Sequence, residues 1–243
     1  MLYATWAGSW AFLVCLALAG GLLAWEWGRL CIGRFEEGAV VLAVMAVAVA
    51  VAGQYRPLIG VALVLGAAGI APMASSLGGR AALWLRVGAF YIGIPILALS
   101  WLRHHNRAIF LWLLLLVWAT DIMAYLVGRT AGGPKLMPRV SPKKTWSGLV
   151  GGMLGAAGVG AVAAAYAGQP VVVLAAVSAG LAVCAQAGDL AESWVKRYFG
   201  VKDSSQLIPG HGGLLDRLDG LLAAAPAAVL LCLVDPQRFA EWS

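Results

Sequence analysis

Between Asp189 and Asp219 the chain sets carboxylates, hydroxyls and cations at spacings that bring them together. Read as a helix, "GDLAESWVKRYFG" places Asp189, Glu192, Ser193 and Lys196 at i, i+3, i+4 and i+7. One face then carries two carboxylates, a hydroxyl and an amine, and such a face does not suit lipid. The continuation "VKDSSQLIPGHGGLLDRLDG" puts Gly210, Gly212 and Gly213 around His211. Glycines there admit positive φ and close backbone approach, as a phosphate or nucleotide needs. Asp216 and Asp219 follow on one helix face, and carboxylates near Asp189 could combine with Asp216 to hold a hard cation such as Mg²⁺. Acidic groups flanked by lysines and arginines fit phosphoryl or nucleotidyl transfer, with metal bridging phosphate oxygens and basic residues neutralising the developing charge. His211 reads either as a general base or as a hydrogen-bonding residue of a glycine-rich turn.

A second polar cluster lies upstream. Asp121 stands inside an apolar run about seven residues from its polar end, roughly 10 Å deep at the rise of a helix. A carboxylate at that depth is costly and marks a functional site, unless it hydrogen-bonds a neighbouring helix. The loop "GGPKLMPRVSPKKTWSG" then supplies Lys135, Arg139, Lys143 and Lys144, with Ser141 and Thr145 as hydroxyls and Pro138 and Pro142 opposing helix. Two readings fit: a phosphate-binding surface, or a basic loop resting on anionic lipid. A cation transporter would also carry intramembrane acids. Against it, these charges gather at one face and include many cations.

These groups must be positioned by membrane helices. With 62% hydrophobic and 12% charged residues in 243, the chain has too little polar surface for a water-solvated globule. Apolar runs near residues 4–25, 38–53, 57–78, 81–102, 108–128, 148–167, 169–191 and 218–234 predict an all-α, polytopic bundle of about eight spans, seven to nine being admissible. The first run reads as a retained helix, since no basic residue precedes it and no polar mature domain follows. We expect one membrane domain over 1–243, with N-terminal helices in 1–107 and catalytic helices and loops in 108–243. Cys15, Cys31, Cys184 and Cys232 show no metal or disulfide spacing and read as packing residues. Gly148, Gly151, Gly152 and Gly155 give small-xxx-small spacings that predict tight helix packing. His104 and His105 read as solvated.

The net charge of +6 suggests no nucleic-acid partner once its placement is followed. With eight spans, twelve basic residues (Arg29, Arg34, Arg80, Arg129, Lys135, Arg139, Lys143, Lys144, Lys196, Arg197, Lys202, Arg217) fall on one side and four (Arg56, Arg103, Arg107, Arg238) on the other. The basic loops are therefore expected in the cytoplasm and both termini outside.

The stretch "SWVKRYFGVKDSSQLIPGHGGLLDRLD", Ser193 to Asp219, closely resembles the signature of the phosphatidate cytidylyltransferases, or CDP-diacylglycerol synthases. "LLAWEWGRL", "WATDIMAYLVGR" and "VSPKKTWSG" resemble the same family, so the likeness runs from the first helix to the last. It implies transfer of CMP from CTP to phosphatidic acid, giving CDP-diacylglycerol and pyrophosphate, in an integral protein of the inner membrane whose site faces the cytoplasm. It also implies Mg²⁺ with a second, monovalent cation such as K⁺, and a homodimer. Asp189 and Asp216 match the metal-binding aspartates. Lys196, Arg197, Lys202, Asp203 and His211 match catalytic positions; Asp121, Lys143, Lys144, Thr145, Glu192, Ser193, Gly212, Gly213, Arg217 and Asp219 match substrate-binding ones. Two departures stand out: the chain begins abruptly before its first tryptophan-rich segment, and Lys143 replaces the glycine that often precedes the family's Lys-Thr pair. A CTP-dependent enzyme acting on an archaeal-type or polyprenol lipid is the alternative. The CDP-alcohol phosphotransferases are disfavoured, because their DGxxAR pattern is absent.

Overall fold

Apolar runs in lipid leave the backbone no hydrogen-bond partner but itself, and a helix satisfies every interior group. The computed structural model describes residues 9–75, 78–207 and 212–236. Within them eight helices are long and apolar enough to cross a membrane: α1 (Ser9–Ile32), α2 (Glu37–Tyr55), α3 (Pro57–Ala74), α4 (Arg80–His105), α5 (Arg107–Thr130), α6 (Trp146–Ala167), α7 (Val171–Tyr198) and α8 (Leu215–Val234). Outward-facing Leu58, Met73, Leu154 and Val172 are exposed, as a lipid-solvated surface requires. The expected all-helical, eight-span architecture holds.

The ends differ from the apolar runs. Helix α1 continues to Ile32 and α7 to Tyr198, each carrying charged residues beyond the run that nominated it. In α7 this makes helical the whole face bearing Asp189, Glu192, Ser193 and Lys196. The proline-broken loop is not merely irregular: β1 (Lys135–Met137) and β2 (Ser141–Thr145) pair antiparallel, with Lys135 opposite Thr145 and Met137 opposite Ser141. Pro138 sits in the turn between them, where no ladder donor is needed.

The chain divides into two compact units, Met1–Arg107 with Phe199–Leu218 and Ala108–Tyr198 with Asp219–Ser243. In the first, α1 to α4 pack on one another around Leu16, Leu23, Trp27, Leu42, Ile92 and Leu99. Small residues let the backbones approach: a Cβ on Gly38 would lie 2.8 Å from the Ala71 carbonyl oxygen, and one on Gly53 would lie 2.8 Å from Ser100 Cβ. Two polar side chains in this core donate to backbone carbonyls. Trp27 Nε1 donates to the Trp84 carbonyl at 2.9 Å, and Ser100 Oγ to the Ala50 carbonyl at 2.5 Å. His104 and His105 end α4 rather than occupying a loop, both exposed, with the His105 ring stacked 4.5 Å from Trp101. Of the cysteines, Cys31 and Cys232 are buried whereas Cys15 is exposed.

In the second unit the glycine spacing on α6 does pack a helix. Cβ atoms on Gly148, Gly151 and Gly155 would lie 2.9 to 3.0 Å from the carbonyl oxygens of Ala124, Met123 and Ala119 on α5. Helices α6 and α7 also pack together, and Trp112 Nε1 of α5 donates to Ser178 Oγ of α7 at 3.1 Å. Gly188 of α7 faces the Asp219 carbonyl oxygen of α8, where a Cβ would come to 2.8 Å. The start of α6 is fixed by Thr145, whose Oγ accepts from Gly148 N at 3.1 Å, and its end by Gly168 at φ 64°.

Candidate active site

In the second unit the polar residues meet around one ammonium. On strand β2 Lys143 is exposed, while Lys144 turns inward and places Nζ 2.5 Å from Asp189 Oδ2 on α7. Asp121 of α5 and Asp219 of α8 lie within electrostatic reach of Asp189 and of Lys144. The Lys144–Asp189 pair thus has two further carboxylates, from α5 and α8, in its electrostatic neighbourhood. Ser193 Oγ, one turn beyond Asp189, donates to its Oδ1 at 3.3 Å, and Glu192 pairs with Lys196 at 3.0 Å, both buried. Arg197 Nε donates to the Val140 carbonyl at 3.4 Å, tying the end of α7 to the hairpin.

This donor set fits a hard divalent cation by chemistry: three carboxylates against one ammonium leave negative charge uncompensated, and all the donors are oxygens. Among the described residues no three His, Cys, Asp or Glu side chains converge closely enough to hold a metal ion. Lys144 is the cation that Asp189 engages here.

In the first unit, the segment 201–207 and residues Trp25, Arg29 and Leu30 of α1 line a cavity of about 850 Å³. Lys202 and Asp203 are exposed on its wall, and Arg29 lies over the Trp25 ring at 5.0 Å. Asp216, in the first turn of α8, gathers this segment. Its Oδ2 accepts from Ser204 N at 3.0 Å, Ser204 Oγ at 2.9 Å and Gly213 N at 2.8 Å. Reaching back to an N–H three residues earlier is the acidic half of a capping box. Arg217, next along, is exposed.

Two of the glycines pack closely against acids of the first unit. Gly212 has φ +82°, and a Cβ there would lie 2.8 Å from Asp216 Oδ2; one on Gly213 would strike Ser204 Oγ and the Glu26 carboxylate. Close approach is to the protein's own acids. Thr145 is 4% exposed; its hydroxyl caps α6 and shares a hydrogen bond with Ser147 Oγ at 2.9 Å. Asp189 and Asp216, expected as joint metal ligands, belong to different units and are each engaged within their own. His211 and Gly210 lie outside the described residues.

One polar residue at the site was not singled out from the sequence. Glu26 of α1 is fully buried, and its carboxylate takes hydrogen bonds from Ser205 Oγ at 2.6 Å, Leu214 N at 2.8 Å and Leu215 N at 2.6 Å. The signal was present: an acid between two tryptophans just past the end of an apolar run, within the "LLAWEWGRL" stretch.

Comparison with known proteins shows the family. A model of the cytidylyltransferase family matches residues 1–234. A phosphatidate cytidylyltransferase of Brucella abortus biovar 1 (strain 9-941) is 52% identical over 149 residues, 58% of this chain and 54% of that protein. One of Rickettsia bellii (strain RML369-C) is 39% identical over 186 residues, 70% of this chain and 78% of that protein. One of Haemophilus influenzae is 41% identical over 149 residues, 56% of this chain and 51% of that protein. The chain spans about half the length of the Brucella and Haemophilus relatives it matches. With a match that runs from the first helix through the last of eight apolar helices, this chain belongs to the cytidylyltransferase family.

Proposed function

We propose that this chain transfers CMP from CTP to phosphatidic acid, forming CDP-diacylglycerol and releasing pyrophosphate. The observation that carries the reading is the Lys144–Asp189 pair with Asp121 and Asp219 about it, in a chain matched over residues 1–234 by the cytidylyltransferase family. The names of the relatives supply the lipid substrate. The phosphate of phosphatidic acid is already an anion, so its attack on the α-phosphorus needs no strong base. Alignment and charge neutralisation are then the protein's task. In the second unit Lys144 and Arg197 bind and orient phosphate oxygens, and Asp189 holds Lys144 in place until substrate arrives.

The same reading includes Mg²⁺, held in the second unit by Asp189 with Asp121 and Asp219 beside it. When bound, it would offset the negative charge that develops on the leaving pyrophosphate. The metal role of Asp216 is a separate part of the proposal, as are a monovalent cation such as K⁺ and a homodimer. The twelve-to-four distribution of basic residues supports a cytoplasmic site in an inner membrane, where soluble CTP and a bilayer lipid can meet.

Purified protein in detergent, given CTP and phosphatidic acid, should form CDP-diacylglycerol only when divalent metal is present. No product, or product unaffected by chelation, would overturn the reaction or its metal respectively. If polyprenol or an archaeal-type lipid out-competes phosphatidic acid, the CTP-dependent alternative replaces the lipid assignment. Cation flux in proteoliposomes without CTP would favour a transporter.

A further inference from the structure

The last helix begins without a cap of its own. The residues before it are Gly212, Gly213 and Leu214, none with a side-chain oxygen, so the first N–H groups of α8 need an acceptor from elsewhere. Asp216 takes the N–H of Gly213. Those of Leu214 and Leu215 are taken by Glu26, from a helix 188 and 189 positions away in sequence. The same carboxylate holds Ser205 Oγ on the other flank of the segment. Ser204, beside it, donates to Asp216. Both flanks therefore end on two acids, and Gly213 leaves the room that Glu26 occupies.

We infer that Glu26 is a positioning residue: by accepting hydrogen bonds from Ser205 and from the start of α8, it sets the placement of Lys202, Asp203 and Arg217 for CTP. Glu26 touches neither substrate nor reacting atoms in this role. A carboxylate suits the task, because it has only acceptors while every group it meets is a donor. It also sits at the positive end of the α8 dipole. Glutamine keeps the shape but turns an NH₂ toward one of these donors, so both the bond and its direction are lost. The inference rests on the reading of the chain as a CTP-dependent transferase.

The test uses full-length protein in detergent, wild type against Glu26→Gln, Glu26→Asp and Ser205→Ala, with two readouts. In the first, kcat/KM for CTP should fall about 10- to 100-fold in Glu26→Gln, the scale of losing hydrogen bonds to a charged group. Glu26→Asp, which keeps the charge, should recover part of that loss, and Ser205→Ala should fall about three- to tenfold. In the second, trypsin cleavage after Lys202 should speed several-fold in Glu26→Gln while cleavage after Lys135 in the hairpin keeps its rate. The double variant Glu26→Gln, Ser205→Ala should be no worse than Glu26→Gln alone, since the contact is already gone. Wild-type kcat/KM and cleavage in Glu26→Gln would overturn the inference, as would strictly additive losses in the double variant. If Glu26→Gln does not accumulate, Ser205→Ala decides alone, and wild-type values for it overturn the inference. A wild-type protein that makes no CDP-diacylglycerol defeats the transferase reading instead, while the cleavage comparison still decides whether Glu26 anchors the segment.

Discussion

The two units use the same side-chain chemistry for different ends. In the first, the carboxylates of Glu26 and Asp216 are met by backbone N–H groups and serine hydroxyls. In the second, Asp121, Asp189 and Asp219 face one another and a lysine. An acid surrounded by fixed donors is built into the fold and holds a segment in place. An acid grouped with other acids, balanced by one ammonium, keeps charge that an incoming cation or phosphate can rearrange. A carboxylate inside a membrane span is thus informative only once its neighbours are known.

The largest effect expected from this contrast is at Asp189. Asp189→Asn should lower CDP-diacylglycerol formation on the order of 10³-fold, with the apparent Tm in detergent little changed. Wild-type activity there would break the contrast from the chemical side. Asp216→Asn should affect both readouts: removing a carboxylate with three donors should cost activity about 100-fold and lower the apparent Tm, by about 2–3 kcal/mol in stability. Retained Tm with lost activity would instead move Asp216 into the chemical group. The paired lysines sharpen the second unit. Lys144→Ala should cost about 30- to 100-fold in kcat/KM for CTP and Lys143→Ala less than about threefold, because only the former reaches Asp189. Smallest is Thr145→Ala, which should lose about 1 kcal/mol of stability as a helix cap, read as a lower apparent Tm, with KM for CTP unmoved. A raised KM would restore it as a substrate hydroxyl.

Much of the fold was legible because lipid imposes one rule on every span. The eight apolar runs located eight helices, and the α6 glycines announced a close helix contact through their spacing alone. The ends were less legible. Hydropathy stops counting at Glu26 and Asp189, whereas the helix continues as long as its backbone is paired and its polar side chains find partners, to Ile32 and Tyr198. The face of Asp189, Glu192, Ser193 and Lys196 followed from helical periodicity. The hairpin after α5 did not, because three- and five-residue strands between prolines carry no readable alternation.

Local sequence by itself determined that this chain is a bundle of membrane helices and that its charged residues gather in the segments after Asp121 and around Asp189 to Asp219. The reason is that apolar length and helical period are properties of neighbours along the chain. Which acid does what was decided only in three dimensions. Glu26 meets Leu215 across 189 positions, Lys144 and not Lys143 meets Asp189, and Gly213 is glycine because a carboxylate from another helix lies against it. Hydrogen bonds and charges act over a few ångströms of space, and no spacing along the sequence encodes those distances.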